Sequence, residues 1–505
     1  MKRALISVYD KSAVAEFAKE LVSKGFEIVS TSGTAKLLRE NGIKLTTIEE
    51  ITGSPEVLGG RVKTLQHMIF AGILADKSNP SHLKEAEKYG FKPFDLVCVN
   101  LYPFKETISN PDCTAQEAIE QIDIGGVSLI RAAAKNFADV GVIVHPLQYK
   151  IYIDALEKNK NINQLLAADA FEFIASYDIS IANYFRKISG QKSGIFDIYY
   201  TGYNELRYGE NPHQKAVLYN IGEEGFDKVF EKLHGRELSY INILDIDAAY
   251  NLINEFDQPA CAIIKHTNPS GVACDDNITK AYLKALACDN VSRFGGIIII
   301  NNEMDLKTAQ EIDKIKTDIV IAPKYSDDAF NFLLKKKNRQ LIKCILLKGL
   351  TVNELKTVTG GMLMQTWDDI VVNESELKVV TQRKPTDDEI RDMIFAMKVC
   401  KHTKSNSVVY AKNLQTVGIG GGQPSRVDSS ILAVQKAKRF GMDLQGSSVA
   451  SDAFFPFPDG VIEAAKAGAK AVIQPGGSVK DDEVIKAANE NGLTMVFTGI
   501  RHFKH

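Results

Sequence analysis

The chain has 505 residues, 45% hydrophobic and 25% charged, a globular composition too long for one core and suited to two to four domains. Lys plus Arg number 61 against 63 Asp plus Glu, so overall charge points to neither nucleic acid nor a membrane surface. No apolar run approaches the ~20 residues of a membrane span. The run after Lys2-Arg3 ends at Asp10, too soon for a signal peptide. The odd, widely spaced set Cys98, Cys113, Cys261, Cys274, Cys288, Cys344 and Cys400 has no C-x-x-C, which argues against a disulfide framework or zinc ribbon and fits a reducing cytoplasm.

In chain order, Ala4 to Val8 reads as a strand. Ser12 opens a helix with Val14, Phe17, Ala18, Leu21 and Val22 on one face, and Gly25 ends it. Phe26 to Val29 is a second strand, running into Thr31-Ser32-Gly33-Thr34 and a helix ended by Gly42. Such a turn fits either a plain capped helix or a seat for an anion on the first N–H groups. Gly59-Gly60-Arg61-Val62-Lys63-Thr64 places two cations beside a pliant backbone, which fits a solvated basic turn or a phosphate contact. It is not a P-loop, since the chain has no Gly-Lys dipeptide. Phe94 to Val99 is an apolar strand ending in Asn100-Leu101-Tyr102-Pro103-Phe104. Gln121-Ile122-Asp123-Ile124-Gly125-Gly126 leads into a helix over Val127 to Asn136, with Arg131 and Lys135 on one face. A strand over Val140 to Val144 and helices near 147–158 and 163–187 close this region, and Lys187 to Gly202 reads as a linker.

The second region starts near Leu206 with the polar loop Arg207-Tyr208-Gly209-Glu210-Asn211-Pro212-His213-Gln214. Ala260 to Ile264 reads as a buried strand ending in Lys265-His266, with Asn268-Pro269-Ser270-Gly271 as the turn that stops it. Strand ends are where open α/β sheets bind ligands. A His there can move a proton and a Lys can hold a developing negative charge, although a solvated strand end has the same look. A helix over Thr279 to Cys288, then Phe294-Gly295-Gly296 and strands over Ile297 to Ile300 and Asp318 to Ala322, predict a mostly parallel, covered sheet. From Asp387 the alternation restarts: a helix over Glu389 to Lys401, a strand over Ser407 to Ala411, Asn413, and the glycine run from Gly418 to Gly422 before Arg426. That run is not a dinucleotide fingerprint, because Gln423 takes the third glycine's place. Phe454, Phe455 and Phe457 sit among prolines in Ser451 to Gly460, which suits a core plug or a loop on which a flat ring stacks. Ala471 to Gln474, Pro475-Gly476-Gly477-Ser478 and a helix from Asp481 repeat the strand–glycine–helix anion geometry, and Arg501 follows a last strand over Leu493 to Thr498. The second region therefore reads as two α/β layers in tandem, similar to a duplicated deaminase-like fold, without the H-x-E and C-x-x-C of zinc deaminases.

Taken together, Arg207 to Gln214, Lys265 to Pro269 and Ser451 to Phe457, with Gly59 to Thr64, Asn100 to Phe104, Gln121 to Gly126 and Arg131 to Asn136, closely resemble the bifunctional phosphoribosylaminoimidazolecarboxamide (AICAR) formyltransferase/IMP cyclohydrolase family of purine biosynthesis, in the family's order. The resemblance implies a methylglyoxal-synthase-like cyclohydrolase domain over 1–190 and a transferase region over 200–505. The latter would comprise two cytidine-deaminase-like subdomains, about 200–370 and 371–505. It implies formyl transfer from the cosubstrate 10-formyltetrahydrofolate to the AICAR amine, with His266 as base and Lys265 stabilising the oxyanion. Arg207, Tyr208, Gly295, Asp318, Asn413, Arg426, Phe454 and Arg501 would hold AICAR, and Asp459, Gly476 and Gly477 would meet the folate. The transfer is nearly thermoneutral and would be pulled by cyclisation in the N-terminal region. There Lys135 would shuttle a proton while Tyr102, Asp123 and Lys63 orient and polarise. Tyr9, Asp10, Lys11, Thr31, Ser32, Gly33, Thr34, Arg61, Val62, Thr64, Val99, Asn100 and Ile124 would bind the nucleotide. The resemblance further implies a cytoplasmic homodimer sharing the transferase site, no catalytic metal, and room for a structural potassium ion. Two positions depart from the family: Gln66-His67 stands where His-Pro is usual, which bears on the cyclohydrolase loop, and Ser270 stands where Cys is common.

Overall fold

The structure is a computed structural model and describes residues 2–191, 200–221, 225–291, 295–346 and 353–505. Two compact units divide the chain, Met1–Tyr199 and Tyr200–His505. Of the predicted linker, residues 192–199 lie outside the described residues, as does Phe294.

The first unit is built on five parallel strands: β1 (Lys2–Ser7), β2 (Phe26–Ser30), β3 (Leu45–Thr47), β4 (Leu96–Val99) and β5 (Gly141–Ile143). Helices α1 (Val14–Ser23), α2 (Ser32–Glu40), α3 (His67–Leu74), α4 (Gly125–Lys135), α5 (Gln148–Glu157) and α6 (Asn163–Ser189) flank them. The unbroken apolar runs of β1 and β4 are buried, as strands covered on both faces must be. The order is β3-β2-β1-β4-β5, so the winding reverses between β1 and β4 and opens a crevice at their C-terminal ends.

The second unit carries a separate hairpin, β6 (Tyr200–Glu205) and β7 (Val217–Ile221), and a sheet of twelve strands. In the first half of that sheet lie β8 (Phe230–His234), β9 (Ala260–Lys265), β10 (Asn268–Cys274), β11 (Ile297–Ile300), β12 (Ile319–Ala322) and β13 (Gln340–Cys344), with helices α7 (Tyr240–Ile253) and α8 (Ile278–Cys288). In the second lie β14 (Lys378–Val379), β15 (Val408–Lys412), β16 (Gln415–Gly420), β17 (Ser448–Ser451), β18 (Ala471–Gln474) and β19 (Thr494–Phe497), with α9 (Asp387–Lys401), α10 (Arg426–Arg439), α11 (Asp459–Ala467) and α12 (Asp481–Glu490). The order is β14-β19-β18-β17-β15-β16-β10-β9-β11-β12-β13-β8. Read outward from the central β10/β16 pair, both halves have one topology: an antiparallel hairpin, three mutually parallel strands and an antiparallel edge strand.

Two expectations are corrected here. The sheet is mixed, with an antiparallel centre and antiparallel edges, because the hairpins and the short edge strands β8 and β14 lack the helical crossovers that the parallel reading assumed. Asn268-Pro269-Ser270-Gly271 is not a turn but the first part of β10, in which Pro269 pairs with Ile264 next to a bulge. The turn is His266-Thr267. The glycine run is likewise largely strand: Cβ atoms on Gly418 and Gly420 would come within 2.8 Å of the Ala433 carbonyl and 1.9 Å of the Ser429 carbonyl, so these glycines let α10 lie against β16.

Candidate active site

At the β1/β4 switch point of the first unit lies a cleft of about 660 Å³. The loops after β1, β2 and β4 line it with Tyr9 and Lys11, Thr31 to Thr34, and Asn100 with Tyr102. Val99, Arg61, Lys63, Thr64, Asp123 and Ile124 complete the predicted residues that it gathers. The N-termini of α2 and α4 both open into it, at Ser32 and Gly125, and supply backbone donors for an anion. Gly125 and Gly126 leave room there, since a Cβ would come within 2.6 Å of the Thr64 hydroxyl and 2.8 Å of the Asp123 carboxylate. Asp10 and Val62 are not among the lining residues, and Asn100 accepts N–H bonds from Tyr9 (2.6 Å) and Asp10 (3.0 Å), pegging the first loop to the third.

Asp123 is half-buried. Burial pushes its carboxyl above the usual range, against the pull of the Gly126 N–H at 2.6 Å and the Tyr102 backbone. A carboxyl so poised can take or give a proton nearer neutrality. Its backbone N–H donates to the Tyr177 hydroxyl (2.8 Å), which donates in turn to the Gln121 carbonyl (2.8 Å). Sequence reading missed Tyr177, because nothing marks one tyrosine of the long α6 as a brace. The two cations of the glycine loop are already engaged: Lys63 pairs with Glu56 at 3.1 Å and Arg61 with Glu120. Lys135 is not in the cleft. It ends α4, whose first residues line the site, and an 11-residue helix is about 16 Å long.

The Gln66-His67 departure is absorbed by the helix start. Gln66 is the N-cap of α3 with extended backbone (φ −123°, ψ 133°), and His67 takes the first helical position, whose N–H has no partner inside a helix. His67 is exposed and does not line the cleft.

In the second unit, Lys265 ends β9 and His266, exposed, begins the two-residue hairpin turn. Register fixes what shares that edge. β11 begins where β9 ends, which brings Gly295 (φ +71°) and Asp318, itself 3.5 Å from Arg236. β10 begins beside the end of β16, on the edge where β17, β18 and β19 also end. Phe454, Asp459, Gly476, Gly477 and Arg501 follow those strands. Arg426 is engaged internally through its terminal nitrogens, donating to Asp452 (2.6 Å), Asn406 (2.8 Å) and the Phe454 carbonyl (3.1 Å), so it braces the Phe454 loop. The Gly477 N–H likewise donates to the chain's own Asp481 at 2.7 Å. Of the three phenylalanines, Phe455 is core while Phe454 and Phe457 are exposed. Arg207 stacks on Tyr208 at 4.7 Å in the β6–β7 loop. Asn413 lies on the opposite edge, beside Cys274 at the far end of β10, about 20 Å of strand from His266.

The family described as the AICARFT/IMPCHase bienzyme matches residues 133–436, and the MGS-like domain matches residues 13–128. This chain belongs to the AICARFT/IMPCHase bienzyme family. Similar relatives named "Bifunctional purine biosynthesis protein PurH" occur in Chlorobium phaeobacteroides (strain BS1), 49% identical over 100% of this chain and 99% of the relative. Those in Persephonella marina and Bacillus cereus (strain B4264) are 48% and 47% identical over 100% of both chains. An AICARFT/IMPCHase bienzyme is an enzyme of purine biosynthesis with AICAR formyltransferase and IMP cyclohydrolase activities. Its N-terminal domain is MGS-like, and no helix among the described residues is long and apolar enough to cross a membrane.

Proposed function

We propose that the two activities sit in separate units, cyclisation in residues 1–190 and formyl transfer in 200–505. The observation that carries this reading is the presence of two distinct constellations in one chain: a nucleotide-sized cleft with two helix N-termini, and a Lys-His pair at the edge of another sheet. In the transferase half, the AICAR amine is conjugated into its imidazole and is a poor nucleophile. His266 takes its proton as the nitrogen attacks the formyl carbon of 10-formyltetrahydrofolate, Lys265 stabilises the oxyanion, and tetrahydrofolate leaves. Arg207, Tyr208, Gly295, Asp318, Phe454 and Arg501 hold AICAR, and Asp459 with Gly476 and Gly477 faces the folate, while Arg426 serves AICAR through the Phe454 loop. In the cleft, the carboxamide nitrogen attacks the formyl carbon and water leaves to give IMP. Asp123, Tyr102 and Lys63 orient and polarise that step, and the Thr31 to Thr34 and Arg61 to Thr64 loops take the phosphate.

Asn413 and Lys135 enter this reading from a second copy of the chain, in a cytoplasmic homodimer, because within one chain each stands far from the residues it would assist. The twice-repeated topology of the second unit supports two cytidine-deaminase-like subdomains, near 200–370 and 371–505. Product analysis tests the whole. With AICAR and 10-formyltetrahydrofolate, the protein yields IMP and tetrahydrofolate together. His266→Ala stops formyl transfer while added formyl-AICAR is still cyclised, and joint loss in a folded protein would refute separate sites.

A further inference from the structure

The two hairpin turns of the second unit are built alike. His266 and Thr267 have φ of +53° and +61°, and Asn413 and Leu414 have +52° and +55°. Both hairpins carry the same bulge, with Ile264 opposite Pro269 and Ile263 opposite Gly271 in one, and Ala411 opposite Thr416 and Tyr410 opposite Gly418 in the other. A left-handed pair is the hairpin geometry normally given to Asn-Gly, and a β-branched Thr or a Leu does not choose it unaided.

What holds each turn is a buried aspartate from the helix beneath. Asp245 of α7 accepts the Thr267 N–H at 2.6 Å and also bonds the His266 backbone. Asp392 of α9 accepts the Asn413 and Leu414 N–H groups, each at 2.8 Å. Asp245 to Thr267 and Asp392 to Leu414 span the same number of residues, and each aspartate stands equally far from the capping-box residue of its helix, Ser239 or Thr386. The device therefore belongs to the repeat, and only the first copy presents a histidine.

We infer that Asp245 is a positioning residue for formyl transfer: by fixing the N–H groups of the left-handed turn, it sets the direction in which His266 meets the AICAR amine. This rests on His266 as the base. Without the acceptor, the turn relaxes toward negative φ and the imidazole leaves its line of approach. Misplacement of that order costs about 100-fold.

Steady-state kinetics of both reactions test it in one set of preparations. Asp245→Ala lowers kcat for formyl transfer about 100-fold with KM for AICAR and folate changed by less than about threefold, and leaves cyclisation of added formyl-AICAR intact. Asp245→Asn, which keeps the acceptor oxygen, stays within about fivefold of the parent. Adding Thr267→Gly to Asp245→Ala restores most of the loss, because glycine takes positive φ without help. If Asp245→Ala does not fold, Asp245→Ser repeats the test with a polar truncation. A folded truncation with unchanged kcat, or no recovery with Thr267→Gly, overturns the inference. His266→Ala with full transfer would overturn the underlying assignment of the base, whereas inactive His266→Ala beside unimpaired Asp245→Ala overturns the role of Asp245 alone.

Discussion

Glu255 and His402 occupy the same place in the two repeats of the second unit, each the same distance beyond the cap of its helix, and they meet with Oε1 and Nε2 3.0 Å apart. Lys401 completes the group at 2.9 Å, and all three side chains are buried. Burial pushes the Glu255 carboxyl up, but His402 and Lys401 outweigh it and hold the group at about 2. Burial pushes the His402 imidazole down. Both shifts have the same sign for stability: the unfolded chain binds the protons more readily, so acid destabilises the fold. Glu255 contributes about 3 kcal/mol above pH 4.5, lost as the pH falls toward 2. Glu255→Gln leaves Lys401 buried without its counter-charge and costs about 3–5 kcal/mol near neutrality. Urea denaturation of both proteins across pH 2–7 checks this, and the variant's loss of stability below pH 4.5 is shallower than the parent's.

Mixed dimers test the proposed inter-chain sites. His266 and Asn413 lie on opposite edges of one sheet, and Lys135 stands a helix length from Asp123. His266→Ala and Asn413→Ala proteins are each inactive in formyl transfer. After co-refolding at equal ratio, about half the dimers are mixed, each with one intact composite site, and transfer returns to about a quarter of the parent. Asp123→Asn mixed with Lys135→Ala restores cyclisation in the same way. No recovery of either activity would place the partner residues within one chain.

The cleft was largely legible in the sequence because its parts are local. The β1, β2 and β4 loops each announce a strand end, and the Thr31 to Thr34 segment marks a helix start. What escaped were pairings across long separations. Nothing near Arg426 shows that Asp452 and the Phe454 carbonyl accept from its terminal nitrogens. The turn at His266-Thr267 was hidden because Asn268-Pro269-Ser270-Gly271 has the stronger turn composition. Asp245, remote in sequence, holds the left-handed residues that neither Gly nor Asn provides. The mixed sheet escaped because a two-residue turn without turn residues leaves a hairpin looking like one strand and a loop.

His67→Pro tests whether the departure beside the cleft costs anything. Proline suits the first helical position, and Gln66 before it already has the extended backbone that proline demands. The variant gains about 0.4–1 kcal/mol from a stiffer unfolded chain. Cyclisation kcat stays unchanged, since His67 does not line the cleft. A thermal melt and the cyclisation assay decide together: a lower Tm would mean that the His67 side chain or N–H holds something in place.

Glu56 engages two residues of the loops to which the proposed function gives the phosphate. One of its oxygens is 3.1 Å from the Lys63 ammonium and accepts from the Ser32 hydroxyl at 3.3 Å, and both partners line the cleft. A Cβ on Gly60 would fall 2.7 Å from the other oxygen, so the glycine makes room for the pair. On that proposal, an incoming phosphate draws Lys63 and Ser32 away from this carboxylate. A partly exposed pair of this kind is worth about 0.2–1 kcal/mol, so Glu56→Gln tightens inorganic phosphate, measured as inhibition of cyclisation, by up to about fivefold. The gain shrinks at high salt, as screening already weakens the internal pair. Weaker phosphate inhibition in Glu56→Gln would mean that Glu56 aims Lys63 at the ligand rather than competing with it.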